Sequence, residues 1–255
     1  MEILTAAHTD IGTKKTSNQD SLLLKIADTS VGKVVLAMIC DGMGGLSQGE
    51  VASASVIQAF SDWFEQELPY QLAKQDVSDI QYRWDRLIKE QNQRIAQYGR
   101  NKNIQLGTTW TAVLIIEDHS MLIGHVGDTR VYRISNGLEV LTEDQTVVAR
   151  EIKRGRLTRE QAERDPRRNV LLQCIGASKI VEPDFITERP ERGEVIMLCS
   201  DGFRHVISER EIFEAFSPDR LTNETIMKQK AIQLVELNKQ RHETDNITVL
   251  LMKIL

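Results

Sequence analysis

The stretch Val35-Leu36-Ala37-Met38-Ile39-Cys40-Asp41-Gly42-Met43-Gly44-Gly45 decides the fold prediction for this chain. Its first six residues form a continuous apolar run, which is the pattern of a strand buried on both faces. The run ends at the carboxylate of Asp41, and glycines at three of the next four positions let the backbone approach whatever that carboxylate binds. Taken alone, the stretch is equally compatible with a strand that ends in a tight Asp-Gly turn.

The same pattern recurs later in the chain. Apolar runs over residues 195–199 and 121–126 lead to Asp201 and Asp128, and Asp245 stands just before the apolar run 247–251. With Asp41, this places four aspartates at predicted strand ends, and no Cys or His is found at ligand spacing. Such a set predicts an oxygen-rich site for hard cations.

Composition and charge limit the class of protein. The chain has 255 residues, with 32 Lys and Arg against 37 Asp and Glu, and this net charge of −5 disfavours nucleic-acid binding. The three cysteines are an odd number and predict buried free thiols in a reducing compartment. The first residues lack a signal-peptide layout, and no apolar run approaches membrane-spanning length. We therefore expect a cytoplasmic monomer without a membrane segment.

The order of patterns along the chain favours an α+β fold. Apolar residues at helical spacing over 51–63 and 80–95 predict two long helices against one sheet face, and Pro69 is expected to end the first. Residues 107–141 change to short strands with tight turns, including the hairpin signal Asn136-Gly137. Antiparallel pairing and grouped helices are therefore expected, in one domain over residues 1–255.

Residues 144–178 differ in charge from the rest of the chain. Between Arg150 and Arg168, eight positions are Arg or Lys and four are Asp or Glu. Thr158 is expected to begin a short capped helix. This segment is either a solvated helical insert or a mobile flap that receives an anionic, phosphorylated substrate.

The loop over residues 9–20 is more polar than a hairpin requires. It places Lys14 and Lys15 between two acidic residues, Asp10 and Asp20. A solvated turn would also explain this composition.

The aspartates suggest a chemistry for the chain. Two ions about 3.5–4 Å apart lower the pKa of a bridging water, which then can attack a phosphate ester in line near neutral pH. No cysteine lies in a phosphate-binding loop, and no histidine is spaced like a zinc ligand. A zinc enzyme is therefore disfavoured.

Several motifs together carry a resemblance to a known family. In chain order they are Thr9-Asp10-Ile11-Gly12 through Asn18-Gln19-Asp20, Asp41-Gly42-Met43-Gly44-Gly45, Gly107-Thr108-Thr109, Gly127-Asp128-Thr129-Arg130, Cys199-Ser200-Asp201-Gly202 and Asp245-Asn246-Ile247-Thr248. With them, the sequence resembles the metal-dependent protein serine/threonine phosphatases of the type 2C family, in their compact bacterial form. The resemblance implies a four-layer α-β-β-α sandwich, with two antiparallel sheets flanked by helices and the metals in a cleft at one end.

The resemblance also implies roles for individual residues. Asp41 would bridge two Mn²⁺ or Mg²⁺ ions, Gly42 would contribute its carbonyl oxygen, and Asp201 and Asp245 would be direct ligands.

Two further acids take more distant roles. Asp20 would be an outer-shell acid that reaches the metal through water, and Asp128 would bind a third, weaker metal. The basic segment falls where the family has its flap. The implied partners are a phosphorylated protein substrate and a bacterial serine/threonine kinase whose action is reversed.

Three positions depart from the family pattern. Lys15 stands where the family usually has an arginine that grips the substrate phosphate, so the charge is kept without bidentate geometry. Gln145 replaces a histidine frequent in bacterial relatives, and Met43 replaces a histidine that animal members are thought to use as a general acid. These departures bear on the rate more than on the reaction.

Two other functions remain open. One is a phosphatase of a small phosphorylated metabolite, which a deep and narrow cleft would favour. The other is a weakly active regulatory module that binds a phosphoprotein, for which loss of Asp41, Asp201 or Asp245 would be the signature. All three are present.

Overall fold

Two antiparallel sheets form the centre of the molecule. The structure is a computed structural model that describes residues 2–43, 48–73, 77–117 and 120–255. Within these residues, the first sheet has the strand order β2-β3-β4-β5-β8 and the second β1-β10-β9-β6-β7. The strands are β1 Ile3–Asp10, β2 Ser21–Thr29, β3 Gly32–Cys40, β4 Trp110–Ile116, β5 Ser120–Val126, β6 Arg130–Ile134, β7 Leu138–Val140, β8 Asp184–Glu188, β9 Val195–Cys199 and β10 Ile247–Ile254.

Helices cover the outer face of each sheet. The helices are α1 Gly49–Gln66, α2 Leu68–Leu72, α3 Val77–Lys102, α4 Val147–Lys153, α5 Arg159–Glu163, α6 Asp201–Arg204, α7 Glu209–Phe216 and α8 Glu224–Gln240. Helices α1 and α3 share an apolar core with the first sheet, and α6, α7 and α8 share another with the second. The predicted four-layer α-β-β-α fold is therefore confirmed.

The strand β3 shows why the opening stretch is apolar at every position. Its residues 34–40 are completely buried. Val35, Ala37 and Ile39 face the second sheet, while Leu36 and Met38 pack under the helices. A strand with a core on both faces has no solvent side, so polar alternation is absent. Gly44 and Gly45 of the same stretch lie outside the described residues.

An aromatic cluster joins the helix layer to the first sheet. Phe60 of α1, Trp84 of α3 and Trp110 of β4 have ring centroids 5.1–5.7 Å apart. Gly124 of β5 lies directly against the Trp110 ring, and a Cβ atom at this glycine would be 2.2 Å from the ring edge. The glycine therefore makes room for the tryptophan.

We expect Gly124→Ala to lower the free energy of unfolding by about 2–3 kcal/mol, because the added methyl group overpacks a closed core. Urea denaturation followed by tryptophan fluorescence measures this change. Gly137→Ala is the matched control, since no atom lies within 4 Å of its added Cβ. Equal stability of the two variants would contradict the packing role of Gly124.

Three elements differ from the sequence prediction. Helix α1 ends at Gln66, and Pro69 is the second residue of α2, a position in the first helical turn where proline loses no hydrogen bond. Helix α4 and strand β8 were not predicted. Among the residues that the structure describes, strand β8 pairs with β5 alone, and it is half-exposed, so it carries no apolar run.

Candidate active site

The predicted aspartates meet at one end of the two sheets. Ser21 at the start of β2 pairs with Cys40 at the end of β3, which places Asp20 and Asp41 at the same edge. The start of β10 in the second sheet lies at the same edge, and the Thr248 hydroxyl donates to Asp20 Oδ2 at 2.6 Å. The two sheets are thus joined by a hydrogen bond at the site.

The backbone of Asp41 is held by two threonines. Its N–H donates to Thr109 Oγ1, and its carbonyl accepts from the Thr108 hydroxyl and the Thr109 N–H, each at 2.9 Å. At Gly42, a Cβ atom would lie 2.5 Å from the Gly49 carbonyl oxygen. The Gly-Thr-Thr motif therefore orients Asp41, and Gly42 permits close packing of backbone around it.

The polar loop between β1 and β2 is fastened to the site by Asn246. The Asn246 side chain donates to the carbonyls of Ile11 and Ser17 at 2.9 and 3.2 Å, and accepts from the Gln19 N–H at 2.9 Å. Gly12 has a φ of +78°, and a Cβ there would be 2.2 Å from the Asp245 carbonyl oxygen. The loop is part of the site and not a solvated turn.

Lys15 is brought to the site by this loop. Its ammonium lies 2.7 Å from Asp245 Oδ1. The two side chains remain 28% and 34% exposed, so solvent reaches both. The structure therefore places a partly exposed cation beside the aspartate that precedes β10.

Asp201 has partners that the sequence analysis missed. It begins the short helix α6, and His205 lies one turn later with Nε2 3.3 Å from Asp201 Oδ2. The other imidazole nitrogen of His205 lies 3.4 Å from Glu243. Burial lowers the pKa of His205, but the bonds to both carboxylates outweigh burial and raise the pKa to about 10. The i, i+4 spacing of Asp201 and His205 was the available signal.

Asp128 lies beside a partly buried ion-pair network. The Arg204 side chain donates to the Asp128 carbonyl at 3.0 Å and also lies 3.4 Å from the Asp144 carboxylate. Arg130 grips the same carboxylate with two hydrogen bonds of 2.7 and 2.8 Å. Asp144 therefore joins two arginines beneath the Asp128 loop.

Gln145 ties the basic segment to this loop. Its backbone N–H donates to the Gly127 carbonyl at 2.7 Å, and its Oε1 accepts from the Gly127 N–H at 2.8 Å. The same Oε1 accepts from Gln173, and Nε2 donates to Asp184 at 2.7 Å. Its carbonyl accepts from the Leu172 N–H at 2.7 Å. The Gln145 side chain thus binds both Gly127 and Gln173. It holds the two ends of residues 144–178 together, next to Asp128.

We expect Gln145→Ala to speed tryptic cleavage within residues 147–168 by about 5- to 100-fold. The change leaves the Gly127 N–H without its side-chain acceptor, a cost of about 1–3 kcal/mol in local opening. Mass spectrometry of timed digests gives the rate at each arginine. Gln97→Ala, which loses only two exposed hydrogen bonds on α3, is the control. Unchanged cleavage in the Gln145 variant would contradict the tether.

The carboxylates at the site lie close together and are buried, and nearby positive side chains do not balance their negative charge. Burial and then neighbouring carboxylates raise the pKa of Asp41, and burial raises those of Asp20 and Asp128, with Asp201 adding to both. Burial also raises the pKa of Asp201, but His205 and Arg204 outweigh it and lower this pKa. A further cation would relieve the excess charge.

The donor set fits hard divalent cations. Oδ1 of Asp20 and Oδ1 of Asp201 are buried and have no hydrogen-bond partner within the described part of the chain. Over the same residues, no three His, Cys, Asp or Glu side chains close on one point as a ready ligand set. Mg²⁺ and Mn²⁺ suit such a site, because they prefer carboxylate and carbonyl oxygens and keep several water ligands.

A four-layer sandwich with acidic side chains gathered at one end of its two sheets is the arrangement that the resemblance to metal-dependent phosphatases implies. A family profile described as "Protein phosphatase 2C" matches residues 11–250. The chain belongs to this family, as the motifs predicted, and its enzymes are metal-dependent protein phosphatases.

Known relatives agree with this assignment. Protein phosphatase PhpP of Streptococcus pneumoniae is 31% identical over 249 residues, covering 96% of this chain and 95% of that protein. The solved serine/threonine phosphatase of S. agalactiae is 30% identical, with a TM-score of 0.86 and full coverage of both chains. The catalytic domain of the phosphatase PstP, solved with two manganese ions, is 28% identical, with a TM-score of 0.78 and coverage of 98% and 97%.

Proposed function

We propose that this chain hydrolyses phosphoserine and phosphothreonine in proteins, with water as the nucleophile and Mn²⁺ or Mg²⁺ as cofactor. The observation that carries the proposal is the gathering of five aspartates at one end of the two sheets, with buried carboxylate oxygens lacking partners within the described residues. Bound divalent ions would supply a water of lowered pKa and would offset charge on the phosphoryl oxygens.

The proposed ligands are those that the family resemblance implies, and their position at one end of the sheets supports them. Asp41, the Gly42 carbonyl, Asp201 and Asp245 would hold the divalent ions directly. Thr108 and Thr109 fix the Asp41 backbone, so its carboxylate is aimed without conformational cost at the time of reaction.

Asp20 and Asp128 have less direct roles in this proposal than Asp41, Asp201 and Asp245. Asp20 acts through water, since one of its oxygens is already taken by Thr248. Asp128 serves a third ion, and Arg204 holds its backbone in place. The choice between Mn²⁺ and Mg²⁺ is set by supply in the cell as much as by these oxygen ligands.

We assign the substrate phosphate to Lys15. Its ammonium is beside Asp245 and open to solvent, so it can turn to an incoming phosphate. The lysine ammonium cannot donate the two parallel hydrogen bonds that an arginine gives to a phosphate. Lys15→Arg directly tests what this difference costs in phosphate binding. Met43 has no ionisable proton to give, so water or another residue would protonate the leaving alkoxide.

A protein substrate is favoured over a small metabolite because the site is accessible from outside. Asp41 and Asp245 are half-buried and Lys15 is 28% exposed. A phosphorylated loop on another protein can reach these groups. A metabolite phosphatase and a phosphoprotein-binding module without turnover remain the alternatives to be tested.

The test is phosphate release from a phosphothreonine peptide, with and without millimolar Mn²⁺. Turnover that depends on metal and exceeds turnover of small phosphate monoesters is the expected result. Turnover of metabolites alone would favour the second function. Binding of the phosphopeptide without turnover at any metal concentration would favour the regulatory module.

The cellular setting forms part of the same proposal. A serine/threonine kinase would supply the substrate, and the chain would act as a monomer in the cytoplasm. The three cysteines are free and buried, which fits a reducing compartment. Within the described residues, none of the helices is long and apolar enough to cross a bilayer.

The domain organisation is also proposed. Residues 1–255 form one catalytic domain, and about 144–178 form the flap. An apolar core between the two sheets, drawn from both halves of the chain, supports one folding unit. Size-exclusion chromatography with light scattering would report the oligomeric state.

A further inference from the structure

Three arginines surround one carboxylate at the end of helix α4. Arg150 and Arg156 each lie 3.2 Å from Glu151, on different carboxylate oxygens, and Arg154 lies 3.5 Å from the first of these. The Glu151 side chain is only 13% exposed, whereas those of Arg154 and Arg156 are 52% and 65% exposed. One negative charge cannot neutralise three positive ones, so this cluster presents excess positive charge to solvent.

The rest of the segment adds to this charge. Arg159, Arg164 and Arg168 are exposed and have no ion pair with any residue that the structure describes. Two other positive charges of the segment are paired, Arg167 with Asp165 and Lys153 with Glu143. The excess of positive charge over Arg150 to Arg168 therefore lies on the surface of this segment, although the chain as a whole has a net charge of −5.

The segment is anchored beside the catalytic residues at both of its ends. At its start, Gln145 is bonded to Gly127, next to Asp128. At its end, Ile175 exchanges backbone hydrogen bonds with Thr108, which also donates to the Asp41 carbonyl. Helix α4 begins two residues after Gln145 and has seven residues. At 1.5 Å per residue, the arginine cluster lies about 10 Å along the helix from that anchor.

We propose that the arginines of this segment bind acidic side chains that flank the phosphorylated residue of the substrate. An extended peptide advances about 3.3 Å per residue, so a cluster about 10 Å from the anchor beside Asp128 corresponds to Asp or Glu at least about three positions from the phosphate. Guanidinium groups suit carboxylates because they donate two parallel hydrogen bonds. The proposal rests on the proposed phosphatase function and names its substrate class as acidic phosphoproteins.

Two phosphothreonine peptides of equal length test the proposal. One carries glutamates three to five residues from the phosphate on both sides, and the other carries glutamines there. The intact protein with Mn²⁺ is compared with the double variant Arg154→Gln/Arg156→Gln. The double variant Arg86→Gln/Lys89→Gln removes the same charge from the exposed surface of α3 and is the control.

We expect the intact protein to prefer the acidic peptide in kcat/KM by about 3- to 10-fold in about 0.05 M salt, the size of two or more exposed ion pairs, and to lose the preference in about 0.5 M salt. The flap variant should lose the preference at low salt and keep its kcat/KM for the glutamine peptide. The α3 control should behave like the intact protein.

Equal losses on both peptides, or an unchanged preference in the flap variant, would overturn the proposal. Failure of the intact protein to hydrolyse either peptide would instead count against the phosphatase function itself. The two failures are therefore distinguishable in one set of measurements.

Discussion

Asp201→Asn is expected to lower kcat for phosphopeptide hydrolysis at saturating Mn²⁺ by at least about 10³-fold. The substitution keeps the shape of the side chain and removes one negative charge from an oxygen set proposed to hold the metal. Stabilisation of the transition state by such a metal is worth several kcal/mol, and each 1.36 kcal/mol is a factor of ten in rate. Asp201 Oδ1 is buried and has no partner among the described residues, whereas Oδ2 is paired with His205, so the substitution also weakens that pair.

A second measurement separates metal binding from a general effect on folding. Mn²⁺ at about 100 times its dissociation constant should stabilise the intact protein by about 2.7 kcal/mol, because it binds only the folded state. Asp201→Asn should lose most of this gain in thermal unfolding. Asp62→Asn, on the exposed face of α1, should keep both the gain and the activity. A Mn²⁺-dependent shift as large in Asp201→Asn as in the intact protein would contradict its role as a ligand.

The parts of the fold that were predictable from sequence are those that leave a local pattern. The run over residues 34–40 has a core on both faces, and such burial permits only apolar residues. Aspartates directly after such runs could be placed at strand ends with no knowledge of the topology. Their recurrence at strand ends predicted a shared cation site, and the location of that site in a cleft at one end of the sandwich came from the family resemblance.

The residues that were missed act across long separations in sequence. His205 meets Glu243, and Asn246 fastens a loop more than 200 positions earlier in the chain. Strand β8 and helix α4 were missed for another reason. Both are short and half-exposed, so hydrophobic periodicity is weak in them.

The role of Gln145 shows the same limit. The sequence marked it only as a departure from a familiar histidine. Its contacts with Gly127 and Gln173 depend on how the segment folds back, which no pattern near position 145 reveals. Sequence thus indicated where the site differs from its family, and the structure indicated what the different residue does.

Asp144→Ala is expected to lower the free energy of unfolding by about 3–5 kcal/mol. Removal of the carboxylate leaves Arg130 and Arg204, whose side chains are only 25% and 15% exposed, without their shared partner, and a largely buried charge without compensation is costly. Urea denaturation at neutral pH measures the loss. Glu139→Ala, which removes a 63% exposed partner of Arg133, should cost below about 1 kcal/mol.

The pH dependence of the stability loss separates a lost ion pair from a simple packing defect. Burial raises the pKa of Asp144, but hydrogen bonds from Arg130 and the charge of Arg204 outweigh burial and hold the pKa below its usual value. A carboxylate with a lowered pKa in the folded state stabilises above its unfolded pKa, about 3.9, and loses that contribution as the pH falls through the folded pKa. The difference in stability between the intact protein and Asp144→Ala should therefore be full at pH 7 and shrink below about pH 4. A difference that stayed constant down to pH 2 would mean that Asp144 contributes packing alone, and that the two arginines under Asp128 are held by other contacts.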